Sequence, residues 1–373
     1  MPSAQLSKQS QGPGILRGAG WALGVASVAA LVSTAGAHDR ISTKVTWTRE
    51  IGPLVERRCA ACHVERGFAF PLTTYEHARP WAVAMKEVTL AGEMPPWGAA
   101  PGVGHFVNDR RLTRHELELI AAWVDGGAPR DVPDPQPASA PGTASASPSN
   151  NARGNHTAGY LDTRVPLANA VVESAAARVA SVTLQVPEGL TLTGWRFEPG
   201  VPALVERVDL ELGTRWLGTW TPGEAAIEFP PDAGIALGTS ILLTARIMYR
   251  PPVERTIDYS AIRIRTSRDA RPKTVREITV VRSWRAPQPV EMFAVRPNVE
   301  ADVEAVARFA SGRAEPIGVF QAPAKAPHPM YVLVRPLALP AGARVEATGP
   351  IRLLYTGGAT RTVKPNVRRR PRR

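Results

Sequence analysis

The sequence predicts a multidomain chain: a small all-α domain followed by an all-β region of two antiparallel β-sandwiches. Three observations carry this. Helical spacing and capping signals run from about Thr48 to Gly127. From Val132 to about Gly159 the chain turns to Pro, Ala, Ser, Gly and Asn with almost no large apolar residue, the composition of a flexible linker. Beyond it, apolar and polar side chains alternate with a period of two residues between turn signals, with no helical partners. At 373 residues the chain exceeds one ordinary domain. The expected boundaries are a leader over 1–37, a helical domain over 38–131, a linker over 132–159, sandwiches over 160–268 and 269–366, and a basic tail over 367–373.

Met1 to Ala37 contains no acidic residue, carries Lys8 and Arg17, and has an apolar run from Trp21 to Val32 before Ala35-Gly36-Ala37. This is the pattern of a cleaved secretory signal peptide, with the mature chain starting at His38. The run is short of the roughly 20 residues a spanning helix needs. The expected location is therefore periplasmic or otherwise exported.

The formal charge of +12 is concentrated at the ends. Without the two basic residues of the leader and the seven from Arg361 to Arg373, 36 basic residues face 33 acidic ones. The body is near neutral, and no nucleic-acid readout is expected. The tail Arg368-Arg369-Arg370-Pro371-Arg372-Arg373 could make weak contact with an anionic membrane or protein, or simply stay solvated.

The helical region opens with Thr48 to His63, where Ile51, Leu54 and Val55 share one face and lead into Cys59-Ala60-Ala61-Cys62-His63. On a helical turn, positions i, i+3 and i+4 lie together, so two thiols and an imidazole meet one flat ligand. C-x-x-C-H is the attachment signature of a c-type haem, with thioethers from Cys59 and Cys62 and His63 as proximal iron ligand. The rival readings are a redox dithiol, half a zinc site and a structural disulfide. These are the chain's only two cysteines, so a zinc site lacks ligands. No βαβ pattern surrounds them, as a thioredoxin-like dithiol would require.

Gly67 and Pro71 break the chain, a second helical stretch spans about Thr74 to Ala91, and Thr113-x-x-Glu116 opens a third as a capping box. In that helix Leu117, Ile120, Ala121 and Trp123 form the apolar face, and Gly126-Gly127 ends it. The sixth iron ligand is expected to be Met94, in Glu93-Met94-Pro95-Pro96-Trp97, because paired prolines stiffen a loop that can present the thioether. Trp97 is expected to pack against the porphyrin. Met85 competes but reads as core filler in mid-helix, and His77 and His105 are weaker options. The His63 ring is expected to donate its other N–H to the backbone near Phe70-Pro71. Arg79 and Arg110-Arg111 are candidates to neutralise haem propionates.

Several runs carry a resemblance. Thr46-Trp47-Thr48-Arg49-Glu50-Ile51-x-Pro53-Leu54, the C-x-x-C-H turn, Phe70-Pro71-Leu72, Tyr75-Glu76-x-Ala78-Arg79-Pro80-Trp81, Met94-Pro95-Pro96-Trp97, Asn108-Asp109-Arg110-Arg111-Leu112 and Ala122-Trp123-Val124-Asp125-x-Gly127-Ala128-Pro129 together look like the small c-type cytochrome domain of bacterial exported multidomain proteins. The resemblance covers most of Val45 to Pro129. It implies a small all-α cytochrome c domain with His63 and Met94 as the axial pair.

In the β region, Val182, Leu184 and Val186 alternate with polar neighbours, as do Val208, Leu210 and Leu212, and Ile262 and Ile264. Further strands are expected near Glu277–Val281, Val303–Phe309, Met330–Arg335 and Arg344–Tyr355, with the two sandwiches split near Ser267–Lys273. Trp195-Arg196-Phe197-Glu198-Pro199-Gly200, Ile247-Met248-Tyr249-Arg250-Pro251 followed by Asp258-x-Ser260, and Leu339-Pro340-Ala341-Gly342 faintly resemble the two-sandwich copper type II monooxygenase module related to peptidylglycine hydroxylases. The copper ligands are missing. They would fall near Glu206-Arg207, on Met248 and near Val295-Arg296-Pro297, and past the linker His328 is the only histidine. The resemblance thus implies a copper-less relative, and copper is not expected, save for the narrow option of chelation by an N-terminal His38.

The leading expectation is an exported electron carrier with one covalent haem, working with an unidentified redox partner protein, its β region serving for docking rather than catalysis. One alternative is an oxidoreductase related to copper monooxygenases, with the haem feeding electrons to an altered site. Another is a binding protein whose haem is mainly structural.

Overall fold

The structure, a computed structural model, describes residues 43–131, 160–224, 226–269, 273–298, 301–322 and 327–359. The expected leader, His38, the linker and the basic tail lie outside these residues.

Thr46 starts the first helical element because its side chain accepts from Arg49 N while Glu50 Oε2 accepts from Thr46 N at 2.8 Å, a reciprocal cap. A π-helical turn at Trp47–Ile51 leads into α1 (Gly52–Arg58), where Pro53 sits in the first turn and needs no amide partner. The expected second helix is two pieces, α2 (Tyr75–Ala78) and α3 (Ala82–Leu90), with a 3-10 turn over Arg79–Trp81 between them, where Pro80 supplies no amide hydrogen. The fourth, α4 (Arg114–Asp125), has both halves of the Thr113/Glu116 capping box and ends at Gly126. Trp47, Ile51, Leu54, Ile120 and Trp123 pack together with Met85 in a small core between these helices. Arg58 donates to Glu116 Oε1 at 2.8 Å, tying the end of α1 to the start of α4.

The β region begins with β1 (Tyr160–Pro166), β2 (Ala170–Val172), β3 (Ala176–Gln185), β4 (Thr191–Glu198), β5 (Val205–Leu212) and β6 (Arg215–Trp220). It continues with β7 (Ile227–Glu228), β8 (Ala233–Ala236), β9 (Ser240–Tyr249), β10 (Thr256–Asp258) and β11 (Ala261–Ser267). The second half holds β12 (Lys273–Val280), β13 (Ser283–Arg285), β14 (Val290–Pro297) and β15 (Val303–Arg308), then β16 (Ala314–Phe320), β17 (Tyr331–Leu339), β18 (Arg344–Ala347) and β19 (Ile351–Ala359). Sheets β3-β9-β5-β6 and β13-β18-β15-β16 each cover part of a long sheet ordered β1-β11-β4-β8-β12-β19-β14-β17. That long sheet crosses the expected boundary through a parallel pairing of β8 with β12, Ala233 opposite Lys273. The two sandwich-like halves therefore share one sheet. Two cores fill them, the first around Trp195, Leu210, Trp216 and Tyr249, the second around Met292, Phe320, Tyr331 and Leu353.

The expected fold class needs correction. The described elements are mostly strands, with sandwich-like layers, and the helices are short, so no separate all-α cytochrome c domain is present. The described residues all fall within one compact unit. The segment after α3 leaves the helices and joins the second half of the β region. Ala99 bridges Phe320, Phe106 bridges Leu333, and Ala100 N donates to Val319 O at 2.7 Å and Val107 N to Val332 O at 2.8 Å. Asn108 completes the seam, its side chain donating to Met330 O at 2.7 Å and accepting from Val332 N at 3.1 Å. The helices alone offer too small a core, and these contacts bury Trp97 and Phe106 elsewhere.

Candidate functional site

Cys59 ends α1, its amide donating to Val55 O at 2.8 Å. One more turn follows, with Cys62 N and His63 N both donating to Cys59 O, at 3.1 and 2.9 Å. Cys59, Cys62 and His63 therefore share a helical turn although α1 itself stops at Arg58. The loop after it folds back tightly. Ala69 N donates to Cys62 O at 2.9 Å and Leu72 N to His63 O at 3.0 Å. Gly67 sits inside this return, where a Cβ would lie 2.6 Å from Cys62 O. No other residue type fits there without shifting the backbone.

His63 Nδ1 donates to the Phe70 carbonyl at 2.8 Å, the acceptor region expected from the sequence. This bond fixes the ring and leaves Nε2 without a partner among the described residues. Phe70 packs edge-on against the imidazole at 5.1 Å between centroids, and Trp81 stacks on Phe70 at 4.6 Å. Both aromatic rings stay about half exposed, at 47% each. Burial holds the His63 imidazole below its ordinary value, opposed by the Phe70 bond.

Burial, helped by Cys62 and Glu116, raises the Cys59 thiol to about 11 against the pull of Arg58. Burial also raises Cys62, with Arg110 opposing. Redox-active and nucleophilic cysteines have lowered values, so two raised thiols disfavour the dithiol reading. Both cysteines are free.

The other candidate residues sit on several elements. Met94 follows α3, its amide donating to Val88 O at 3.2 Å, and is half-buried. Met85 is core filler in the helical cluster. His105 is exposed on the seam with β17, where its carbonyl accepts from Val334 N at 2.9 Å. Trp97 lies in the second β core, its ring 4.8 Å from Tyr331 and 6.1 Å from Phe106, with a buried Nε1 that has no hydrogen-bond partner. Arg111 is paired with Asp109, whereas Arg110 turns inward. Its Nη1 donates to Pro222 O at 2.8 Å, and its buried Nη2 makes no hydrogen bond.

The β region reaches the turn directly, which sequence reasoning missed. Gly223, between β6 and β7, has φ +89°, and a Cβ there would lie 3.3 Å from both Cys62 Sγ and Arg110 Nη1. Arg250, just past β9, donates to Phe68 O and Ala203 O, with its guanidinium 4.0 Å over the Phe68 ring. Glu224 follows Gly223 with only 7% of its side chain exposed. Pro222-Gly223-Glu224 reads as an exposed turn, and no local signal announces its burial.

The positions where the copper resemblance would put ligands are strand residues. Arg207 pairs with Asp209 at 3.3 Å, Val295 is buried, and Arg296 donates to His328 O at 3.2 Å. His328 is buried with both ring nitrogens engaged, by Tyr331 Oη at 3.1 Å and Ala301 O at 3.4 Å. Among the described residues no group of three or more His, Cys, Asp or Glu side chains is arranged to hold a metal ion.

No family model matches the chain, and no curated protein matches it. Solved structures with similar arrangements include the major capsid protein P2 of bacteriophage PM2, at 10% identity, with 54% of this chain and 99% of that one covered and a TM-score of 0.26. Another is A223, a turret protein of Sulfolobus turreted icosahedral virus, at 10% identity, covering 54% and 98% with a TM-score of 0.16. At these scores the likenesses carry no argument. The resemblance to an exported c-type cytochrome domain fused to a copper-less monooxygenase relative is corrected accordingly. With no matching family, no metal-holding group among the described residues and a mostly β architecture, that kinship does not stand.

The residues of the turn can still be tested for fit to a porphyrin on their own chemistry. Two thiols and an oriented imidazole occupy one turn, the half-exposed Phe70 ring lies against the imidazole with Trp81 behind it, and the Arg110 guanidinium acts on Cys62. These features suit a flat, largely apolar ligand with anionic edge groups whose centre accepts a basic nitrogen.

Proposed function

We propose that the chain holds one haem covalently through Cys59 and Cys62, with His63 as an axial base, and transfers single electrons outside the cytoplasm. One observation carries the reading. His63 Nδ1 is committed to Phe70 O at 2.8 Å on the same turn as both cysteines, so Nε2 is the nitrogen left to bind iron.

When bound, the haem supplies a one-electron couple at its iron. Cys59 and Cys62 hold the ring edge, and the Phe70 carbonyl keeps His63 in one tautomer and orientation. Phe70 supplies apolar surface beside the imidazole, with Trp81 packed behind it. Arg110 offers positive charge to a propionate. Met94 would serve as a second iron ligand, which would favour electron transfer over oxygen chemistry. The β region is proposed to brace this turn through Gly223 and Arg250 and to provide the surface for a redox partner protein.

The test is expression with haem-maturation machinery, followed by denaturation and spectroscopy. Colour that stays with the denatured chain, with both thiols consumed, is the expected result. Colourless protein with two free thiols overturns the reading.

A further inference from the structure

We propose that Glu224 is a proton-binding site whose occupancy is linked to the charge held at the Cys59–His63 turn, so that taking up an electron there is accompanied by taking up a proton. This rests on the haem reading above and adds to it a residue 162 positions beyond Cys62.

The Glu224 carboxylate is poorly held. Its hydrogen bonds are long, 3.5 Å from Asn108 Nδ2 and 3.3 Å from Thr221 N. Arg110 Nη2 stands 3.8 Å from Oε1 without forming a hydrogen bond. Glu198 in the same chain shows the contrast, accepting from Arg263, Arg196 and Arg164 at 2.8, 2.8 and 3.0 Å. A buried carboxyl with weak partners favours its neutral form. For Glu224 burial outweighs Arg110, Thr221, Arg296 and Asn108 and pushes its value up to about 7. The charged and titratable groups facing it are Arg110 from the segment before α4, Arg296 from β14 and Tyr331 from β17.

The same Arg110 joins this carboxyl to the turn. Its Nη1 and Cys62 Sγ flank one point above Gly223, each 3.3 Å from it, and Gly223 is the residue next to Glu224. Charge added or removed at the Cys62 side therefore acts on Glu224 by way of the Arg110 guanidinium and through buried protein rather than through water. In the oxidised state the extra positive charge favours the carboxylate. Reduction delivers one electron from an external one-electron donor and removes that charge. One proton from water then binds a Glu224 oxygen, forming an O–H bond. No other bond changes.

Two measurements on the full chain test this. In haem-loaded protein, the midpoint potential of the wild type should fall as pH rises across neutrality, and Glu224→Gln should flatten that slope. In the unloaded chain, infrared titration should show a protonated carboxyl band that disappears near neutral pH and is missing in Glu224→Gln. Colourless protein would defeat the haem reading, and the linkage with it. Coloured protein with the same pH slope in both forms would defeat the linkage alone. A Glu224 already ionised at pH 5 in the unloaded chain would do so as well.

Discussion

Arg250 lies with its guanidinium 4.0 Å over the ring of Phe68 and donates to the Phe68 carbonyl, so a strand end of the β region clamps the loop that returns from Cys62 to Phe70. The pair spans 182 positions of sequence. It makes the C-x-x-C-H loop part of the whole fold rather than a feature of the helices. Arg250→Ala should cost about 1–3 kcal/mol, since it removes a cation–π contact and two hydrogen bonds from a charged donor, to Phe68 O and Ala203 O. Amide exchange over residues 64–71 should speed up more than exchange in β9. Equal protection in both proteins would reject the clamp.

Gly67 and Gly223 crowd the same turn from opposite sides of the sequence. Gly67→Ala forces a Cβ to 2.6 Å from Cys62 O, and Gly223→Ala adds left-handed strain at φ +89°. Each should destabilise the protein by at least about 1 kcal/mol in urea unfolding. Gly223→Ala should also lower the yield of covalently loaded protein, read as haem per chain, because its new methyl presses on Cys62.

The two methionines should separate cleanly. Met85 is buried in the helical core, so Met85→Ala should cost about 2–5 kcal/mol as a cavity substitution and leave the visible spectrum of the loaded protein alone. Met94→Ala should abolish the methionine-to-iron charge-transfer band with little loss of stability. A band that survives in Met94→Ala removes that residue as ligand.

Trp97 distinguishes a seam from a loose helical surface. Buried against Tyr331 and Phe106, it should cost about 3–5 kcal/mol when changed to Ala. A loss near zero on chemical denaturation would mean that the segment does not belong to the β core.

Glu198 sets an acid limit. Burial would raise its carboxyl, but Arg263, Arg196 and Arg164 hold it down to about 2, below the ordinary 4.5. A folded value below the unfolded one stabilises the protein above about pH 4.5, and that stabilisation is lost as pH falls toward 2. Glu198→Gln should therefore lower stability at pH 7 by about 1–2 kcal/mol and flatten the acid limb of the stability curve. An unchanged acid limb would show that the cluster is solvated.

Local order was well written in the residues. The Thr113/Glu116 cap, the break at Gly126, the end of β11 at Ser267 and the start of β12 at Lys273 follow from capping, turn chemistry and two-residue alternation, which act over a few positions. The His63 acceptor near Phe70 was legible because seven residues of tight loop leave few alternatives. The same local signals misled over the fold class. Met94-Pro95-Pro96-Trp97 reads as a loop of a helical domain, whereas Trp97 closes a core built mainly from β12 to β19.

What the chain determined by itself was its helices, several of its strands (β3, β5, β11, β12, β15 and β17 among them) and a turn that presents two thiols and an imidazole together, because each depends on neighbours within about one turn or one strand. Tertiary structure alone decided that the halves of the β region share a sheet through Ala233 and Lys273, that Trp97 and Asn108 belong to the second half, and that Gly223 and Glu224 come up against Cys62 and Arg110. These contacts join residues dozens to hundreds of positions apart. They form because the short helices cannot bury their own apolar surface, and the unpaired edges of nearby strands offer the backbone partners that their loops need.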